Sequence, residues 1–233
     1  MPSPPNSEKI DWARFARSLA GTTVFFALCM FLPAGTWRWE RGWLFVAIYF
    51  GLGVTMSVVL WRINPEIFAA RINAHRGTKR WDKVLLGFFF AAVAAIFVVA
   101  AFDDARFHWS RIPDWVCIIG YALLVAGFAL VGWAQAVNRF FEVTVRLQTD
   151  RGQHVIDTGP YAYIRHPGYA CWLPMSIGIA LALGSLWALI PAAISCAILM
   201  LRAHWEDRML HIELSGYKEY AERVRYKMLP GIW

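Results

Sequence analysis

Apolar residues run in blocks along this chain. Phe15–Pro33, Trp43–Trp61, Val84–Phe102 and Trp115–Val137 are nearly free of charge. Each is close to or above the roughly 20 residues that an upright helix needs to cross a hydrocarbon core about 30 Å thick. A fifth block, Cys171–Leu201, is too long for one span and is interrupted by Gly184-Ser185 and by Pro191. Its first arm is too short to stand upright across the core, which predicts a tight helical hairpin dipping into the bilayer. The pattern therefore predicts an all-α integral membrane protein of five to six transmembrane or hairpin helices. Residues 1–137 form an N-terminal four-helix region, and residues 138–233 form a second region of different character. In that second region the polar segments 138–169 and 202–233 flank the hairpin, which would bring them together. Two further stretches stand apart from the blocks. MPSPPNSE reads as a disordered lead-in, and the loop Arg62–Lys83 is long enough for a helix lying on the headgroups.

Composition agrees with this reading. Only 17% of the 233 residues are charged and 58% are hydrophobic, whereas soluble domains carry about 25% charged residues. Trp37, Trp39 and Trp43 cluster beside one block end, and Trp61, Trp81, Trp109 and Trp115 lie near others, as an interfacial aromatic belt requires. The first block is too long for a signal peptide, lacks a small-residue cleavage site and is followed by further spans.

The net charge of +7 changes the picture only through its distribution. With the N-terminus in the cytosol, nineteen Lys and Arg fall on cytosolic segments; only Arg38, Arg41, Arg106 and Arg111 fall outside. That asymmetry follows the positive-inside rule. It assigns the basic balance to topology and anionic headgroups rather than to nucleic acid, and it puts segment 138–169 on the cytosolic side. The four cysteines lie in or beside apolar blocks without C-x-x-C spacing, so neither a disulfide framework nor a metal site is expected.

Candidate chemistry concentrates in GPYAYIRHPGYACW, residues 159–172, with Gly159 as its opening turn. Gly159 permits a left-handed turn, and Pro167 pushes His166 toward an extended backbone. Arg165 offers a fork of donors matched to a carboxylate or phosphate. Tyr161, Tyr163 and Tyr169 offer ring faces to a base or a cation. The same residues also suit an interfacial loop with a snorkelling arginine and belt tyrosines. A second cluster, Arg202, Glu206, Leu210, Glu213, Tyr217 and Tyr220, would share one helix face, with Ser215-Gly216 as a break. There, Arg202–Glu206 reads equally well as an i,i+4 surface pair.

These motifs together resemble the isoprenylcysteine carboxyl methyltransferase family, whose wider superfamily includes membrane phospholipid N-methyltransferases. The family's G-x-Y-x-x-x-R-H-P-x-Y is matched by Gly159, Tyr161, Arg165, His166, Pro167 and Tyr169. Its E-E-x-x-L is matched by Glu206, Asp207 and Leu210, with Asp in place of the second Glu. Its C-terminal G…Y-x-x-Y-x-x-R-V…L-P is matched by Gly216, Tyr217, Tyr220, Arg223, Val224, Leu229 and Pro230. The family's upstream His stands six residues before the Gly; here Gln153 is at six and His154 at five. The resemblance implies S-adenosylmethionine bound by residues 138–233, which becomes the catalytic region, and a lipophilic methyl acceptor met within membrane lipids. His154, Gly159, Tyr161, Arg165, His166, Pro167, Tyr169 and Glu206 are the implied cofactor-binding residues. Arg202 and Glu206 are the implied catalytic ones.

The resemblance makes a carboxylate acceptor, as in isoprenylcysteine esterification, the leading reading, and Arg202 would orient that nucleophile by a bidentate contact. For an amine or thiol, Glu206 or Asp207 would take the proton. No G-x-G-x-x-G follows a strand pattern, so a Rossmann domain is not expected. Six scattered histidines without a paired-His box exclude a membrane di-iron oxygenase. The charges near the blocks lie at their ends, which argues against a transporter. A non-enzymatic lipid- or quinone-binding protein of the same fold stays open. It differs in one respect: Arg165, His166 and Glu206 need not converge on one pocket.

Overall fold

A computed structural model describes residues 12–64 and 77–233, and among them every regular element is helical. Helix α1 covers Trp12–Phe26 and continues through one widened turn, Ala27–Phe31, to Ala34. Helix α2 is Glu40–Ile63, and α3 is Arg80–Ala100 with a widened extension to Phe107. Helix α4 is Asp114–Val137. A single turn, Pro167–Ala170, leads into α5, Trp172–Ala182. Helix α6 is Leu189–Glu213 and α7 is Tyr217–Arg223. The expected lead-in at residues 1–8 and the central part of the expected surface helix, residues 65–76, lie outside the described residues.

Among the described residues, four helices are long and apolar enough to cross a membrane: α2, Arg80–Phe107, α4 and α6. Ala20–Ala34 and Pro167–Ala182 are shorter apolar helices. The chain is thus an all-α integral membrane protein, with six membrane-type helical segments among the described residues. Local signals set several boundaries. Glu40 and Asp114 stand in first turns and Arg62 in a last turn, each the charge that complements the helix dipole at that end.

The hairpin is present, but it is asymmetric. It turns at Gly184-Ser185, whereas Pro191 does not divide anything. Pro191 lies in the first turn of α6, where a missing backbone N–H forfeits no helical hydrogen bond. The second arm is therefore 25 residues long and long enough to cross the bilayer; only the first arm is short.

The closest helix packing joins α4 to α5, through small residues. A Cβ on Gly178 would lie 2.6 Å from the Gly120 carbonyl oxygen and 2.7 Å from the Leu124 nitrogen. Such contacts let membrane helices approach where no hydrophobic force drives them together. Around this pair, Phe26, Met30, Phe45, Phe97, Leu124 and Ile179 form a buried core. Leu32, Trp61, Phe88, Trp115 and Ile118 point outward, as surfaces facing hydrocarbon do.

Each end of the bundle carries a polar layer. At one end Asp103 is fully buried and accepts hydrogen bonds from Ser110 N, Ser110 Oγ and, at 2.6 Å, Ser185 Oγ. Beside it, Asp104 accepts from Trp39 Nε1 and Arg41, and Arg41 also reaches Asp114. This layer ties the hairpin turn to the ends of α2, α3 and α4. The opposite end holds the residues singled out from the sequence.

The α4–α5 contact generates a prediction. Gly178→Ala is expected to destabilise the protein by about 1–3 kcal/mol through overpacking. Gly51→Ala, where a Cβ meets nothing within 4 Å, should leave stability unchanged or slightly raised. Thermal unfolding in detergent distinguishes the two, and equal melting temperatures would refute the tight contact.

Candidate active site

Two arginine forks organise this end. Arg165 donates from Nε and Nη2 to the two oxygens of Asp207 at 2.8 and 3.2 Å, and from Nη1 to the carbonyls of Val224 and Arg225. Its backbone N–H donates to Tyr226 O, and that of His166 donates to Lys227 O. The Arg-His pair thus binds the chain's C-terminal segment, and the guanidinium is used up in doing so. Asp207 gathers a further donor in Tyr217 Oη at 2.9 Å. The second fork joins Arg202 to Asp82, at 2.6 and 3.2 Å, with a third bond from Arg202 Nη2 to Val143 O. Asp82 is fully buried and Arg202 almost so. The carboxylate that sequence reasoning expected at Arg202 is therefore supplied by the chain itself.

Between these forks lies a cavity of about 130 Å³, lined by polar and apolar side chains alike and bordered by segment 138–157. Of the sequence-derived candidates, His154, Tyr161, Arg165, His166, Tyr169 and Glu206 line it. Gly159, Pro167 and Arg202 do not. Gly159 has φ of +57° and sits against α4, where a side chain would press on Trp133 and Val137 at 3.1 Å. Pro167 opens the turn that leads into α5. All three act as framework around the lining.

The lining side chains are held from several directions. Tyr161 Oη accepts from Asn138 Nδ2, while Tyr161 O accepts from Tyr220 Oη. Burial pushes the phenols of Tyr161, Tyr217 and Tyr220 above their ordinary pKa, and Asp207 adds to the effect at Tyr217. All three therefore stay protonated near neutrality. His154 is exposed and stands edge-on to Phe140. The Tyr169 ring stacks on His166, with centroids 5.7 Å apart, and the Arg202 guanidinium lies 5.1 Å from its centroid. Tyr169 Oη donates to Glu206 Oε2.

Sequence reasoning missed Asp82, Glu142, Thr144 and Arg146. Glu142 lines the cavity, and both its oxygens accept from Arg146 at 2.8 Å. Glu142 and Arg146 pair at i,i+4 in a segment that is not helical, so the helix-face rule does not account for the contact. Asp82 gave no local signal, since its partner lies 120 residues away.

Two buried polar atoms in the lining lack hydrogen-bond partners among the described residues, Thr144 Oγ1 and His166 Nε2. His166 Nε2 lies 3.4 Å from Asp207 Oδ1, within ion-pair range but poorly directed for a hydrogen bond. Unpaired buried polar groups cost free energy, so the Thr144 hydroxyl, with no such neighbour, marks where a polar ligand would complete the site. The donor set fits S-adenosylmethionine: Glu206 for an ammonium or ribose hydroxyls, His166 for a carboxylate, and tyrosine rings for a base or sulfonium. No group of His, Cys, Asp and Glu able to hold a metal ion occurs among the described residues.

Residues 115–213, from the start of α4 to the end of α6, match the model of the phospholipid methyltransferase family. That family is part of the isoprenylcysteine carboxyl methyltransferase-like membrane methyltransferase superfamily, which bears out the resemblance read from the motifs. The match spans less than half of the chain but includes most of the cavity's lining. No curated protein matches the chain.

The geometry predicts a structural effect for one expected ligand residue. Arg165→Ala leaves Asp207 buried without its fork and releases Val224 and Arg225, a change that typically costs about 3–5 kcal/mol. A lower melting temperature, with faster tryptic cleavage after Arg223 or Arg225, is the expected result. Unchanged stability and cleavage would show that the fork is dispensable to the fold.

Proposed function

We propose that this protein is an S-adenosylmethionine-dependent membrane methyltransferase, with the cofactor in the cavity and a lipophilic acceptor approaching from the bilayer. The observation that carries this reading is the convergence of His166, Tyr169 and Glu206 on one cavity, inside the segment that matches a methyltransferase family. A passive lipid-binding module has no need of that convergence. When bound, S-adenosylmethionine supplies an electrophilic methyl group on its sulfonium. The protein's share is alignment, which in well-oriented reactants removes roughly 7–11 kcal/mol of barrier.

The acceptor's chemistry follows from what the arginines are doing. Esterification of a carboxylate, as in the isoprenylcysteine reaction, calls for a cation to orient it. Both buried forks are already closed on Asp207 and Asp82. Glu206, a second negative charge beside the reacting centre, would oppose a carboxylate nucleophile. An amine or thiol on a lipophilic carrier suits the site better, because Glu206 can accept the proton that such a nucleophile releases. Tyr169 holds Glu206 in place through its hydroxyl. On the far side of Tyr169, Trp172, Leu173, Leu199, Met200 and Trp233 line a small apolar cleft, which suits the carrier's hydrocarbon. The basic asymmetry of the sequence supports a cytosolic position for the N-terminus and for this site.

The test uses S-adenosylmethionine labelled on its methyl group, purified protein and bilayers containing phosphatidylethanolamine or a prenylated cysteine. Label is expected to enter the lipid fraction and to stay non-volatile after alkali, since N-methyl and S-methyl groups survive conditions that release volatile methanol from methyl esters. Alkali-labile label would favour the esterification reading instead. Glu206→Gln should lower turnover by roughly 10²–10⁴-fold, the range for loss of a general base, a larger loss than its effect on S-adenosylhomocysteine affinity. No label in any lipophilic product would overturn the proposal.

A further inference from the structure

Three successive residues in segment 138–157 are treated unusually. The Val143 carbonyl accepts from Arg202 Nη2 at 2.6 Å, and the Val145 N–H donates to Asp82 Oδ2 at 2.8 Å. The Val145 carbonyl also accepts from Lys79 N. The residue between them, Thr144, is 8% exposed, lines the cavity and has no partner for its hydroxyl among the described residues.

A chain that buries Asp82 and Arg202 takes two charges out of water, and an apolar pair of similar volume would serve stability as well or better. What the ionic pair adds is direction. Each member spends one further hydrogen bond on the backbone beside Thr144, so the pair fixes where the Thr144 hydroxyl sits. A hydroxyl both donates and accepts, and a buried one left unpaired is costly.

We infer that Thr144 contacts the ligand of this cavity through its hydroxyl and that Asp82 and Arg202 are positioning residues for it. Resting on the proposed function, the inference names the ligand as the polar portion of S-adenosylmethionine. A ribose hydroxyl, the ammonium or the carboxylate can each satisfy the orphaned oxygen. Arg202 thereby acts on the site through the backbone rather than by gripping the acceptor.

Calorimetric titration of the purified full chain with S-adenosylhomocysteine tests this without any turnover. Thr144→Val, which removes only the hydroxyl, is expected to raise Kd roughly 5- to 50-fold, the range for one lost hydrogen bond to a neutral or charged group. Thr144→Ser should stay within about threefold of the wild type, because it keeps the hydroxyl. Asp82→Asn should weaken binding, yet add little once Thr144→Val is present, the non-additivity expected of residues acting through one contact. Where Asp82→Asn does not accumulate folded protein, Arg202→Lys replaces it in the same cycle.

Wild-type affinity in Thr144→Val would overturn the contact while leaving the proposed function intact. Fully additive losses in the double variant would overturn the positioning role. Absence of binding by folded wild-type protein would overturn the function and this contact together.

Discussion

The fork between Arg165 and Asp207 joins three parts of the chain that share no other covalent or helical connection nearby. Arg165 belongs to the loop before the hairpin, Asp207 to the long arm after it, and the carbonyls of Val224 and Arg225 to the segment that follows α7. Every donor nitrogen of the guanidinium is engaged within the protein, at a place where an unpaired charge would be heavily penalised. Satisfying that one cation brings the C-terminal segment against the loop before the hairpin, seats His166 against Tyr169, and turns Tyr217 toward Asp207. The rest of the site is built on these placements.

The helices supply the fixed frame on which the fork operates. The Gly120–Gly178 approach sets the spacing of α4 and α5, and the buried Asp103 fixes the hairpin turn at the opposite end through Ser185. With both ends of α5 and α6 anchored, Tyr169 at the start of one arm and Glu206 along the other meet at a defined place. The frame is apolar over its length and polar at its two ends. The cavity is bordered by segment 138–157, and the apolar cleft lies between α5, α6 and the C-terminal residues.

Much of this was legible in the sequence, and the parts that were not share a cause. Block lengths gave the spans, because bilayer thickness fixes helix length irrespective of tertiary detail. Gly184-Ser185 marked the hairpin turn correctly. Pro191 misled because proline interrupts a helix only beyond its first turn, and where a helix begins depends on the turn before it. The polar residues of 159–169 and 202–220 were recognisable as chemistry-bearing, but not their partners. Arg165 and Arg202 each offered a fork for a carboxylate; nothing local revealed that Asp207 and Asp82 fill those forks. Thr144 was invisible for the same reason. A threonine among valines carries no signal until the backbone on both sides is seen to be tied down.

What distinguishes Arg165 and Arg202 from Glu206 is saturation. The arginines have bidentate partners and additional carbonyls, whereas Glu206 accepts from Tyr169 alone among the described residues. A carboxylate with spare acceptor capacity in a partly enclosed site is the group open to a further donor. If the proposed chemistry holds, proton transfer falls to Glu206 because its neighbours have nothing left to offer. Tyr169 then links that chemistry to both surroundings. Its hydroxyl lies on the acid, one ring neighbour is the cavity's His166, and its outer edge borders the apolar cleft between α5 and α6. A nucleophile carried on hydrocarbon that follows this cleft inward comes first to Tyr169 and next to Glu206, so the direction of approach and the order of chemical contact agree.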